Sequence, residues 1–174
     1  MRKLIFSVAS SLDNYIAREN GAVDWLLWSD DAQAVTAAHW KTVDTMLMGR
    51  KTYETTVQQG GGGGTPGVQT YVFSRALENP ARAGVEVVRG DAVEFVRDLK
   101  KRPGRAVSLT GGGELANSLL AGGLVDEVEL NIHPVLLGSG VPLFHGASRQ
   151  IDLELLESRP LQRGCVLLTY RVKP

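Results

Sequence analysis

Three consecutive glycines, Gly111, Gly112 and Gly113, stand between an apolar run at 105–109 and a segment where Leu115, Leu119 and Leu120 recur at helical spacing. A strand that turns into a helix through glycine alone constrains the fold more than any other stretch. Glycine reaches positive φ without strain and leaves no Cβ between the backbone and a ligand. The free N–H groups of a helix start, reinforced by the helix dipole, favour an anion. A phosphate or pyrophosphate is the expected guest. Gly111, Gly113 and Ala116 also satisfy G-x-G-x-x-A, the dinucleotide fingerprint of a Rossmann unit. That fingerprint normally opens the first βαβ unit, whereas here roughly two thirds of the chain precedes it.

Before the glycines, helices and strands are expected to alternate. Residues 3–9 form a near-continuous apolar run, which predicts a central strand buried on both faces. Residues 10–17 read as a polar loop, in which Asn14 suits a left-handed backbone. Trp25 and Trp28 form an aromatic cluster, as core packing or as a wall for a planar substrate. Ser29 is the expected N-cap of a helix with Asp30 and Asp31 in its first turn and Lys41 near its end. A strand at 45–48 then meets a second glycine turn, Gly49-Arg50-Lys51-Thr52. Cations at a helix start oppose the helix dipole, so Arg50 and Lys51 point to an anion held between them.

The five glycines at 60–64 predict a mobile loop without assigned chemistry. Strands are expected at 69–73 and 85–88. A helix is expected at 91–101, with Ala92, Phe95, Val96 and Leu99 on one face. This order argues an α/β sheet with much parallel pairing. After Gly122-Gly123 the pattern changes: Val128, Leu130 and Ile132 alternate with polar residues, and a long loop covers 134–144. Strands at 151–158 and 165–173 close the sheet antiparallel, and one domain spans 1–174.

Composition narrows the function. Basic and acidic residues number 19 each, giving no net charge, so neither a nucleic-acid partner nor an anionic membrane is expected. The single cysteine, Cys165, lies in an apolar run and reads as a buried, inert thiol. His39, His133 and His145 show no metal-ligand spacing, so no metal is expected. No apolar run reaches transmembrane length and the first residues lack a signal-peptide layout, so the expected compartment is the cytoplasm.

Four segments together resemble the dihydrofolate reductase-like fold. They are Ser11-Leu12-Asp13-Asn14-Tyr15-Ile16-Ala17, Met48-Gly49-Arg50-Lys51-Thr52-Tyr53-Glu54, Thr110-Gly111-Gly112-Gly113-Glu114-Leu115, and Asp126-Glu127-Val128 through Pro142-Leu143-Phe144. Within that fold the chain is similar to stand-alone relatives of the reductase domain of the bifunctional riboflavin-biosynthesis deaminase/reductase. The resemblance implies a three-layer α-β-α fold on a mixed sheet, NADP(H) as cofactor, and a homodimer. It also implies that Gly111, Gly112, Gly113, Glu114 and Leu115 hold the pyrophosphate, beside Gly49 and Thr110. Arg50, Lys51 and Thr52, with Ser74 and Arg75, would meet the adenosine 2′-phosphate, and Ala9 and Ile16 the nicotinamide amide. A basic cluster of Arg50, Lys51 and Arg75 independently suits a dianionic phosphate. The chain departs from the family's pattern at Asn14, where glycine is usual, and at Thr110, where the riboflavin-pathway reductases carry glutamate.

The expected chemistry is hydride transfer from NADPH to a C=N, C=O or C=C bond of a small pterin- or pyrimidine-like substrate. The cofactor carries the reaction while the protein orients the reactants and supplies a proton. Asp30, Asp31 and Asp13 are the candidate donors and Trp25 the candidate stacking wall. A non-catalytic NADP(H)-binding sensor or scaffold is the alternative. A dimer could bury the apolar face of Val128, Leu130 and Ile132, or a helix could cover it.

Overall fold

The computed structural model describes residues 1–61, 64–78, 80, 82–144 and 150–174. Gly62 and Gly63 of the glycine run, and His145, lie outside the described residues. The first strand, β1 (Leu4–Ser11), is central as its apolar run requires, and extends two residues further than expected. It is followed by β2 (Tyr15–Ala17), α1 (Asp30–Thr42), β3 (Val43–Gly49) and α2 (Arg50–Gln58). Next come β4 (Gln69–Phe73), β5 (Val85–Val88), α3 (Ala92–Lys101), β6 (Ala106–Leu109) and α4 (Gly113–Ala121). The remaining strands are β7 (Glu127–His133), β8 (Val141–Pro142), β9 (Leu153–Pro160) and β10 (Val166–Val172).

The main sheet runs in the order β5-β4-β3-β6-β1-β7-β10-β9. All pairs from β5 to β7 are parallel, and β10 joins β7 and β9 antiparallel. This is the expected mixed sheet with antiparallel C-terminal strands. The expected loops at 10–17 and 134–144 hide a second, two-stranded sheet, in which β2 pairs with β8. Sequence could not show it, because each strand is too short for an alternation to register. Asn14, at the turn before β2, has φ 66°.

Successive side chains of a strand point to opposite faces, so each strand divides its residues between two layers. Leu4 and Phe6 of β1, Val107 and Leu109 of β6, Leu47 of β3 and Val128 of β7 pack in one cluster with Leu115, Ala116, Leu119 and Leu120 of α4 and Val96 and Leu99 of α3. Met46 and Met48 of β3 face the other way, with Tyr53 of α2 and Val72 of β4. On that second face Ala32 of α1 packs with Cys165 and Leu167. Helices α3 and α4 therefore cover one face, and α1 and α2 the other. Of the face formed by Val128, Leu130 and Ile132, Val128 is buried in the core beneath α3 and α4 and Leu130 packs against it.

Ser29 and Asp91 cap α1 and α3 through their side chains, accepting from Ala32 N and Glu94 N. At the opposite end of the sheet from the glycine turns, Arg2 is buried and bonds Asp44, Thr45 Oγ1 at 2.8 Å and the Arg105 carbonyl at 2.7 Å. Asp44 in turn accepts from Arg105 N at 2.7 Å. Burial works to raise the Asp44 pKa, but the Arg105 amide, the Thr45 hydroxyl and the Arg2 charge together hold it below its ordinary value. A depressed carboxylate contributes stability above its unfolded pKa of about 4, lost as pH falls through the folded value. We expect Asp44→Ala to cost roughly 2 kcal/mol in urea unfolding at pH 7, since it strands a buried guanidinium. The parent should lose that advantage over the variant as pH drops below about 4.

Candidate active site

Adjacent parallel strands β3 and β6 are followed by helices on opposite faces of the sheet. This is a topological switch point, where the ends of the strands open a crevice for a ligand. Thr110 N bonds the Leu47 carbonyl at 2.9 Å, tying the two strand ends together. Both following helices start on glycine without a side-chain cap: Gly49 before α2 and Gly112 before α4. The helices α1 and α3, by contrast, have filled caps. Gly111 and Gly112 have φ of 65° and 79°, as the turn's glycines require. A Cβ on Gly111 would sit 3.0 Å from the Thr52 side chain, so the two turns touch.

The crevice opens into a cavity of about 1430 Å³. That exceeds the ~300–1,000 Å³ of a drug-sized pocket, leaving room for a dinucleotide beside a small substrate. Ala9, Ile16, Gly49, Arg50, Lys51, Thr52, Ser74, Arg75, Thr110, Gly111, Gly112, Gly113, Glu114 and Leu115, expected from sequence at a cofactor, all line it. Arg50 pairs with Glu54 at 2.9 and 3.1 Å. Lys51 and Arg75 are exposed, with no carboxylate partner among the described residues. The Ser74 hydroxyl accepts from Leu77 N at 2.9 Å, shaping the turn that carries Arg75 to the rim. Thr110 Oγ1 is buried without a partner. Two uncapped helix starts, unpaired cations and an orphaned hydroxyl fit the phosphates of a dinucleotide.

The rest of the cavity includes side chains to which the sequence assigned no site role, and Trp28, whose expected role was core or substrate wall. Ser7, Ser108, Glu129, Asn131 and His133 lie on the sheet face under α1, with His39 and Trp40 from that helix and Trp28 beyond. His133 is buried, accepts from Leu27 N at 3.1 Å through Nδ1, and has its pKa lowered by burial. Cys165 Sγ lies 3.5 Å from the same nitrogen, and burial raises its thiol pKa. A pattern that could have exposed these residues is present: polar side chains at alternate positions of strands paired on both sides have no solvent to face.

Three expected donors are placed elsewhere. The Asp13 carboxylate accepts from Ser11 Oγ at 2.6 Å and from Leu137 N and Gly138 N, holding β1 to the loop before β8. Asp31 accepts from Ser29 Oγ at 2.5 Å, Ala32 N at 2.8 Å and Gln162 N at 2.7 Å, tying α1 to the turn before β10. The hydrogen bonds from Ser11 and Ser29, respectively, lead in depressing both pKa values, which suits neither to giving up a proton at neutral pH. Neither they nor Asp30 lines the cavity. Trp25 is also outside the lining: it is buried edge-on against His133, ring centroids 5.4 Å apart, so its role is packing. Trp28 and Trp40 are the tryptophans that reach the cavity.

The match to known proteins covers the same ground. The model of the RibD C-terminal domain family matches residues 2–167. The chain belongs to that family. The uncharacterized protein YyaP of Bacillus subtilis (strain 168) is 33% identical over 180 residues, spanning 97% of this chain and 94% of its own. Among solved structures, a putative riboflavin biosynthesis protein from Shewanella sp. PV-4 superposes with a TM-score of 0.85 at 26% identity, covering 100% of both chains. Dihydrofolate reductase from Enterococcus faecalis, solved with NADP(H), superposes with a TM-score of 0.70 at 19% identity over 99% of this chain and 97% of its own. The fold of this RibD C-terminal domain is thus dihydrofolate reductase-like.

Because Asp31 and Asp13 hold backbone rather than ligand, Asp31→Asn and Asp13→Asn should each lower the thermal unfolding midpoint. Ligand affinity at the cavity should stay unchanged in both by calorimetry. Gly111→Ala should destabilise the domain by about 1–2 kcal/mol, since it places a Cβ at left-handed φ against Thr52.

Proposed function

We propose that the protein is an NADP(H)-dependent reductase that transfers hydride to a small heterocyclic, pterin- or pyrimidine-like substrate. The observation that carries this reading is one cavity joining an anion cradle to a polar chamber at the switch point of the sheet. The glycine turns before α2 and α4 would hold the dinucleotide phosphates through their free N–H groups. Lys51 and Arg75 would face the adenosine 2′-phosphate, a dianion that separates NADPH from NADH. Arg50 is the weaker candidate for that contact, since Glu54 already holds its guanidinium. Ala9 and Ile16, at the inner edge of the cradle, would meet the nicotinamide. When bound, the reduced nicotinamide supplies the hydride. The chain's own contribution is to orient a planar substrate between α1 and the strand floor, and to keep water from it. The names of the solved relatives, one tied to riboflavin biosynthesis and one to NADP(H), support the same class. A floor of ionisable and hydroxyl groups supports turnover over a sensor or scaffold role.

Trp28 and Trp40 line the cavity, so their fluorescence reports its occupancy. Titration should show saturable NADPH binding, with NADH weaker. Arg75→Ala and Lys51→Ala should each weaken NADPH roughly tenfold, the value of one charge-assisted hydrogen bond, and leave NADH unchanged. If neither dinucleotide binds the parent protein, the reductase reading is wrong.

A homodimer is proposed on a different surface from the one sequence suggested. The edge strand β9 is exposed along its whole length and presents Leu153, Leu155 and Leu156. An open edge with apolar side chains supports pairing with another copy. Light scattering should give a dimer mass for the parent and a monomer mass for Leu155→Glu.

A further inference from the structure

His133, the last residue of β7, is only 2% exposed and yet borders the cavity. The Leu27 amide donates to its Nδ1 at 3.1 Å. A backbone N–H can only give its hydrogen, so Nδ1 carries the lone pair and the hydrogen of the neutral ring sits on Nε2. Cys165 Sγ, 3.5 Å from the same Nδ1, agrees with that tautomer. Burial raises its pKa, so it stays a thiol and brings a hydrogen of its own. Burial also pushes the His133 pKa below its ordinary value, which keeps the ring uncharged at neutral pH. Trp25, edge-on at an interplanar angle of 87°, fixes the imidazole plane.

Nε2 of His133 has no partner among the described residues. A buried N–H without an acceptor is costly, because it has lost its water and gained nothing in return. The other nitrogen-bearing groups of the floor make no such demand. His39 has Ser108 Oγ 2.9 Å from Nε2 and Glu129 Oε1 3.6 Å from Nδ1. Asn131, two residues before His133 on the same face of β7, has a buried Oδ1 without a partner. A carboxamide can turn about its last torsion and present either its oxygen or its NH2, so Asn131 suits donors and acceptors alike. His133 has no such freedom, since turning the ring would take the Nδ1 lone pair away from the Leu27 amide. It is a donor alone.

We propose that His133 binds the substrate and sets its specificity, donating Nε2–H to an uncharged acceptor, a carbonyl oxygen or a pyridine-type ring nitrogen. The inference rests on the reductase reading above and adds a contact to the substrate half of that site. This contact anchors the substrate and is separate from the bond that takes up hydride. An amino group or a protonated nitrogen at the same place would set N–H against N–H, and the locked tautomer offers no relief. A hydrocarbon edge there would leave the buried N–H unpaired. The site rejects the first by repulsion and the second for want of a partner.

The test uses the full chain without dinucleotide and two uncharged probes, 4-chromanone and chroman, which differ in one carbonyl oxygen. Calorimetry should show the ketone bound more tightly than chroman. In His133→Leu the ratio of the two affinities should fall at least tenfold, while NADPH binds as in the parent. On nitrogen-15-labelled parent protein at pH 7, long-range proton–nitrogen spectra should show His133 as the Nε2–H tautomer. Adding 4-chromanone should move the Nε2-bound proton downfield, and adding chroman should not. An Nδ1–H tautomer or an imidazolium at pH 7 overturns the inference. So does equal binding of the two probes by the parent, or an affinity ratio that His133→Leu leaves unchanged; with normal NADPH binding, the reductase reading then still stands. Absence of NADPH binding from the parent removes both. Should His133→Leu fail to fold, the spectra of the unaltered protein decide.

Discussion

The parallel pairing of β1 with β6 and β7 is the constraint on which the molecule depends. Its register sets Phe6 beside Leu109 and Val128, and Ser7 beside Glu129. Because a strand alternates its side chains, the pairing that buries the first set against α3 and α4 must deliver the second to the other face. Core and chamber are two sides of one ladder. A slip of one residue would put Glu129 into the leucines of α4 and Phe6 into the cavity.

The cost of such a chamber falls on its polar groups. A sheet with both faces covered normally carries apolar residues on both. Here Ser7, Ser108, Glu129 and Asn131 occupy positions that could have been valine or leucine. A half-buried carboxylate is tolerable when it has polar partners: Ser7 Oγ donates to Glu129 at 3.0 Å, and His39 Nδ1 lies 3.6 Å away. The carboxylates that serve the fold look different. Asp13, Asp31 and Asp44 each accept from backbone N–H groups and join segments distant in sequence. Glu129 receives no backbone amide among the described residues, and the side chains it meets, Ser7 and His39, both line the cavity.

Local chemistry made much of the fold legible. The Ser29 cap, the helix after residue 91, the strand at 69–73 and the left-handed Asn14 follow from residues next to one another. So does the cradle, since glycine at a strand-to-helix turn has a meaning independent of the rest of the chain. The backbone contacts of Asp13 and Asp31 were not legible, because their partners, Gly138 and Gln162, lie more than a hundred residues away. Of the two readings of Trp25, packing or substrate wall, its burial against the distant His133 favours packing.

By itself the sequence determined the order and type of the main-sheet strands and the helices between them, the two glycine helix starts and the basic residues beside them. Each is set by backbone stereochemistry or by periodicity over a few residues. Only the tertiary structure decided which strands lie side by side, and hence that His39, Ser7, Ser108 and Glu129 meet in one chamber. Their separation along the chain spans more than a hundred residues, from Ser7 to Glu129. No local propensity encodes such a meeting, which exists only once β1 is paired on both edges and α1 has packed across the sheet.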